Sequence, residues 1–139
     1  MKIILNSGPA FLLRFDKGEE VLAGLADFAQ KNNITAAVFS GIGACSKVDL
    51  GFFNTTLKDY RRKPFFDNRE IISLNGNIAM QEGRPMVHSH GVFSDNEFNL
   101  IAGHVFEIIV SVTCEISLVK LEGQSQRTMN ADFNLNLLA

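Results

Sequence analysis

The sequence predicts an α+β protein in which one amphipathic helix packs against a largely antiparallel β-sheet. Three observations support this fold class. One segment near the N-terminus carries apolar residues at helical spacing. Many later segments are rich in β-branched and aromatic residues or alternate apolar and polar residues, which is typical of strands. Mostly short turns separate these segments, as expected where neighbouring strands run in opposite directions.

The helix is expected over residues 18–32. Its apolar face is formed by Val21, Leu22, Leu25, Ala26 and Ala29. Asp16 suits the N-cap, because Glu19 follows three residues later in a variant of the capping box. The polar pair Asn32-Asn33 is a reasonable end.

The strands begin before the helix with "AFLLRFD" and continue after it. The later candidates are "ITAAVFSGIG", "KVDLGFFN", "REIISLNGNIAM" with a turn at Asn75-Gly76, "GHVFEIIVSVTCEISLVKL" as one long bent strand or two, and "DFNLNLLA". One helix covers little of such a sheet, so we expect the chain to associate with itself. The 139 residues suffice for one core and no linker divides them, which predicts a single domain over residues 1–139.

Composition and charge restrict the partners. The net charge is −2 and the pI is about 5.9, which argues against nucleic acid, since binding to phosphates relies on lysine and arginine. The apolar run at the N-terminus breaks at Asn6 to Pro9 and is too short for a signal peptide or a membrane span. Cys45 and Cys114 match no zinc or redox spacing. We therefore expect a cytoplasmic protein that does not contact membranes.

All three histidines of the chain lie between positions 88 and 104. In a strand, His88 and His90 of "VHSHG" project from the same side, and His104 follows near the start of the next long strand. Gly103 would let the backbone approach closely there. Three imidazoles with an open fourth position are typical of catalytic zinc sites. The alternative is that these histidines face solvent or bond to the backbone individually.

Other segments have a simpler interpretation beside a functional one. The basic stretch "LKDYRRKPFF" resembles a nucleic-acid binder, yet a solvated loop is favoured. Asp95 and Glu97 could assist a metal, although "SDNEFN" suits a polar loop. Glycines in "GIGAC" indicate a tight turn rather than a phosphate loop, and Cys45 is expected to be an inert thiol.

Three stretches together resemble the plants and prokaryotes conserved (PPC) domain family. They are "RFDKGEEVLAGLADFAQKNNITAAVFSGIGACSKVDLGFF", "REIISLNGNIA" and "GRPMVHSHGVFSDNEFNLIAGHV", which follow one another in the family's order. The resemblance implies an α+β fold, a homotrimer and a metal site at His88, His90 and His104. Plant relatives combine this domain with DNA-binding AT-hooks. Many members have "GGH" where this chain has Ala102-Gly103-His104.

Glu70 and Arg14 also match recurring positions of the family. A carboxylate near metal-bound water can act as a general base or orient a ligand histidine, while a structural ion pair is the simpler role. Our leading hypothesis is a trimeric protein that binds Zn²⁺, or another divalent transition metal, and binds or hydrolyses a small molecule at a subunit interface. If the protein is an enzyme, metal-bound water is the nucleophile and Glu70 or Arg14 assists. The alternatives are a DNA-binding module and a trimerisation scaffold with a vestigial site.

Overall fold

The computed structural model describes residues 1–139, which form nine strands and one helix. Their bounds are β1 Lys2–Ser7, β2 Ala10–Asp16, α1 Val21–Lys31, β3 Ala36–Asn54, β4 Asp59–Phe65, β5 Arg69–Gln81, β6 Arg84–Ser94, β7 Leu100–Lys120, β8 Arg127–Asn130 and β9 Leu135–Leu138. The helix is too short to span a membrane. The predicted combination of one helix and many strands is confirmed.

Seven strands form one antiparallel sheet in the order β1-β2-β7-β6-β5-β3-β4. Strand β3 also pairs with β7, so β7, β6, β5 and β3 close into a ring. The last two strands, β8 and β9, make a separate antiparallel hairpin. The predicted antiparallel sheet is therefore confirmed, and the additional pairing of β3 with β7 closes part of it.

The helix is shorter than predicted because another residue caps it. The Glu20 carboxylate accepts hydrogen bonds from the backbone N–H groups of Leu22 and Ala23, so the helix begins at Val21. Asp16 instead ends β2, where its carboxylate pairs with Lys2 and Arg14. The helix ends before Asn32, as predicted, and buries Val21, Leu25, Phe28 and Ala29 against the sheet.

Two glycine-containing segments that predict turns lie inside continuous strands. The "GIG" segment sits within β3, where a bulge at Gly43 has φ +153° and a Cβ would stand 2.2 Å from the Thr113 carbonyl oxygen. The turn predicted at Asn75-Gly76 is also wrong. Gly76 pairs with Ser89, and a Cβ there would lie 2.3 Å from the His88 carbonyl oxygen. In both places glycine serves a close approach of two strands.

The basic stretch is an edge strand rather than a loop. Leu57 and Lys58 belong to a turn, while Asp59–Phe65 forms β4 and pairs with residues 48–54 of β3. This edge position explains its polar sequence, because one edge of the strand and much of its surface face water. Strand β4 consequently brings Tyr60 and Arg62 beside β7.

Candidate metal centre

The three histidines come together on one side of the sheet. His88 and His90 flank Ser89 in β6 and point to the opposite side of the strand from it. Ser89 is 1% exposed and points into the interior. His104 of β7 is the direct cross-strand partner of His90. The predicted alternation in β6 is therefore confirmed, and strand pairing supplies the third imidazole.

The rings are close enough to share one cation. Their centroids lie 5.3 Å apart for His88 and His90, 5.0 Å for His88 and His104, and 5.4 Å for His90 and His104. One nitrogen from each ring lies within 4.8 Å of the other two. A tetrahedral zinc ion with bonds of about 2.1 Å holds its nitrogens roughly 3.4 Å apart. Nitrogens that are up to 4.8 Å apart would have to approach one another to reach this separation.

The surroundings of His88 and His104 favour the neutral imidazole that binds metals. Burial lowers the pKa of His104 to about 4, assisted by the charges of His88, His90, Arg127 and Arg62. The pKa of His88 is lowered by burial and by the charges of Arg127 and His90. His104 Nδ1 is also buried without a hydrogen-bond partner. A buried, unpartnered nitrogen on the neutral His104 ring fits a metal-binding role.

Aromatic side chains fix the orientation of His104. Its ring lies 4.8 Å from that of Tyr60 and 4.6 Å from that of Phe106, measured between centroids. Burial raises the pKa of Tyr60 against the opposing charge of Arg127, so its phenol keeps its proton at neutral pH. Phe106 lies two residues after His104 in β7, so the two side chains share one face of the strand. This spacing is visible in the sequence and could have indicated Phe106 as a neighbour of His104.

Glycines allow the strands to approach at this point. A Cβ on Gly103 would stand 2.9 Å from the Gly51 carbonyl oxygen, which confirms the close approach expected there. A Cβ on Gly51 would meet the rings of Phe106 at 2.4 Å and Tyr60 at 2.9 Å. The aromatic wall next to His104 therefore depends on these glycines.

Arg127 is a member of the cluster that sequence reasoning missed. From β8 its Nη2 donates to Asn77 Oδ1 at 2.6 Å and lies 3.3 Å from His88 Nδ1, while Nη1 donates to the Asn136 carbonyl at 3.4 Å. The residue is only 7% exposed. Asn77 pairs with His88 across β5 and β6, so register alone places it.

Glu70 and Arg14 do not join the histidines within one chain. Glu70 pairs with Ser94, which lies about 13 Å along β6 from His90 at the usual 3.3 Å per residue. Its side chain lines a separate polar cavity together with Lys17. Arg14 Nε donates to Asp16 Oδ1 at 2.9 Å in β2.

Two of the simpler interpretations are confirmed. Asp95 Oδ1 accepts hydrogen bonds from the backbone N–H groups of Glu97 and Asn99, both at 2.9 Å, and these bonds lower its pKa. It is thus the centre of a polar loop. Burial raises the pKa of Cys45 to about 11, so its thiol is not a nucleophile at neutral pH.

The chain belongs to the Plants and Prokaryotes Conserved (PCC) domain family, whose model matches residues 4–122. This match confirms the resemblance found in the sequence. The three histidines lie within the matched residues, and Arg127 lies beyond them. Among curated protein sequences, none matches this chain.

Several solved structures are similar over nearly the full chain. A candidate DNA-binding protein from Bacteroides thetaiotaomicron shares 27% identity with a TM-score of 0.93, covering 97% of this chain and 94% of its own. A metal-containing protein from Archaeoglobus fulgidus shares 30% identity with a TM-score of 0.89, covering 100% and 99%. A plant- and prokaryote-conserved (PPC) protein from Pyrococcus horikoshii shares 31% identity with a TM-score of 0.88, covering 98% and 96%.

Proposed function

We propose that this protein binds a divalent transition metal, zinc first, through His88, His90 and His104. The observation that carries the proposal is the convergence of three ring nitrogens within 4.8 Å from two paired strands. Imidazole donors without thiolates suit zinc and its neighbours in the first transition row. When bound, such a metal would polarise a carbonyl or acidify a water molecule at its fourth position.

Each residue has a distinct part in holding the metal. The ladder between β6 and β7 fixes the separation of His90 and His104. Packing of Tyr60 and Phe106 against His104 limits the rotation of that ring. His90 is exposed, so the fourth coordination position can open toward solvent and admit a small molecule. The relative from Archaeoglobus fulgidus, which is described as metal-containing, supports this proposal.

Metal binding is tested by loading chelator-treated protein with Zn²⁺ or Co²⁺ and measuring stoichiometry and affinity. We expect one metal per chain, and each His→Ala variant should lose most of the affinity. Glu122→Ala is the control, because Glu122 is an exposed carboxylate that forms no ion pair. Because the chain has no other histidine, every imidazole signal in an NMR spectrum reports on this site. Histidine signals that do not move on loading would contradict the proposal.

We further propose that the protein assembles as a homotrimer. Large apolar side chains stand exposed on the sheet, including Ile42 at 58%, Ile72 at 51% and Val112 at 70%. Such exposure in a soluble domain marks an association surface. Analytical ultracentrifugation should give three times the chain mass. Ile42→Glu should dissociate the assembly, and a wild-type monomer would contradict this part.

A catalytic contribution of Glu70 and Arg14 belongs to the same proposal. Since neither reaches the histidines of its own chain, each would act at the site of a neighbouring copy. Glu70→Gln and Arg14→Gln should then leave metal affinity unchanged but alter the pH dependence of water bound to the metal. Unchanged behaviour in the trimer would assign both residues a structural role.

DNA binding is the second candidate, because the relative from Bacteroides thetaiotaomicron is described as a candidate DNA-binding protein. The exposed basic residues Arg61 and Lys63 of β4 are the groups that would contact phosphates. The net charge of −2 and the pairing of Arg62 with Asp49 weigh against it. A salt titration of binding to duplex DNA separates the two functions, since phosphate contacts give a steep loss of affinity with salt.

A further inference from the structure

Arg127 is a buried cation that has no acidic partner. Its guanidinium contacts Asn77 Oδ1, the Asn136 carbonyl and His88 Nδ1, all of which are neutral. No carboxylate forms an ion pair with it, and its Nε is buried without any hydrogen-bond partner. A buried charge without a counter-charge is costly, which indicates that a partner is missing at this position.

Metal loading would remove one of its three acceptors. A neutral imidazole has one N–H group and one lone pair. If His88 binds the metal through Nδ1, the lone pair facing Arg127 is used. If it binds through Nε2, Nδ1 keeps the proton and becomes a donor facing other donors. In either case the hydrogen bond from Arg127 to His88 is lost, and Nη2 becomes available to another acceptor.

The loaded site would also carry an excess of positive charge. The metal brings two positive charges and Arg127 a third, while the three imidazole ligands are neutral. The neighbouring acid Asp49 is already bonded to Arg62, whose Nε lies 3.1 Å from its carboxylate. Arg62 itself stacks over Phe106 at 4.0 Å. No carboxylate of the chain forms a hydrogen bond or an ion pair with Arg127 or with the three histidines, so none neutralises the metal and Arg127 directly.

We propose that the small molecule of this site carries an oxyanion, a carboxylate or phosphate group, which Arg127 binds beside the metal. The inference rests on the proposed metal centre. One oxygen of the ligand would occupy the open metal position, and others would accept from the guanidinium, whose planar fork matches both groups.

The test uses full-length protein loaded with Co²⁺, whose visible spectrum responds to a new ligand. Oxalate and inorganic phosphate are titrated separately at constant ionic strength into wild type, Arg127→Gln, Arg127→Lys and Arg84→Gln. Arg84 is an exposed arginine at the start of β6 without a partner in the structure, so its variant removes the same charge elsewhere. Wild type that binds oxalate more tightly than phosphate indicates a carboxylate ligand, and the reverse order of affinities indicates a phosphate ligand.

We expect wild type and Arg84→Gln to bind the stronger probe equally. Arg127→Gln should weaken that binding by about 10- to 100-fold, the usual size of a lost hydrogen bond to a charged group. Arg127→Lys should fall between them, because it keeps the charge and loses the fork. The Co²⁺ affinity of Arg127→Gln should equal or exceed that of wild type.

The outcomes separate this inference from the proposed metal centre. Wild type that takes up no Co²⁺ overturns both. If wild type takes up Co²⁺ but responds to neither anion, only the role of Arg127 is overturned. The same holds if Arg127→Gln binds the anion as strongly as wild type does. If Arg127→Gln does not fold, the lysine variant decides, since wild-type anion affinity in Arg127→Lys contradicts recognition by the planar guanidinium.

Discussion

Acid should destabilise the metal-free protein through His104. Burial lowers the pKa of this imidazole from 6.5 to about 4, so between these values the unfolded chain binds more protons than the folded one. Stability from the neutral ring is therefore complete above pH 6.5 and is lost as the pH falls toward 4. One pKa unit corresponds to 1.36 kcal/mol, but the ring is only partly buried, and solvent screening reduces the expected loss to about 1–2 kcal/mol.

The assay is urea unfolding with a chelator at pH 7.0 and pH 4.5 for wild type and His104→Gln. Glutamine keeps a polar side chain without an imidazole, so the difference between the two proteins reports on His104 together with its coupling to His88 and His90. Wild type should lose about 1–2 kcal/mol more than the variant, which is a shift in midpoint of roughly 0.5–1 M urea at a typical slope. Equal losses in the two proteins would refute the assignment of a buried, neutral imidazole at position 104.

Three further results are expected. Zn²⁺ at 100 times its dissociation constant should raise the free energy of unfolding by about 2.7 kcal/mol, measured by urea titration, and the gain should vanish in His88→Ala and His90→Ala. Gly76→Ala should cost about 1–3 kcal/mol in the same assay, because its Cβ would overlap the His88 carbonyl; a neutral result would mean that β5 and β6 can separate there. Cys45 and Cys114 should react with a thiol reagent at pH 8 only after unfolding, because burial raises their pKa values to about 11 and about 12; fast reaction in the native protein would contradict their burial.

The parts of the fold that could be predicted are those with a strong local period. The helical spacing of Val21, Leu25 and Ala29 marks the core face of α1, and the alternation across His88 and His90 places both rings on one side. Neither signal needs knowledge of distant residues. The same reasoning failed at Gly43 and Gly76, because a glycine that permits a turn also permits two backbones to approach. Whether such a glycine forms a turn or lies in a strand that closely approaches another depends on the neighbouring strand, which the local sequence does not reveal.

The residues around the histidines could not be predicted for a different reason. Tyr60 reaches His104 because β4 pairs with β3 at the point where β3 pairs with β7. Arg127 reaches His88 because the last hairpin folds back, with the Ser125 carbonyl accepting a hydrogen bond from Met80 N at 2.8 Å. Both contacts join segments that are far apart in sequence. The local sequence around a basic residue in a polar stretch does not indicate which distant residue its side chain will contact.

The histidines and Arg127 lie on parts of the fold that are held in place to different degrees. The three histidines lie on strands of the closed sheet, where paired backbones and packed rings fix their positions. Arg127 lies on the outer hairpin β8–β9, which contacts the sheet through few hydrogen bonds. We therefore expect a change in the hairpin to alter the anion preference proposed for Arg127 and to leave the proposed metal ligands in place. Replacing Arg127 should change ligand preference at nearly constant metal affinity, whereas replacing His104 should remove both.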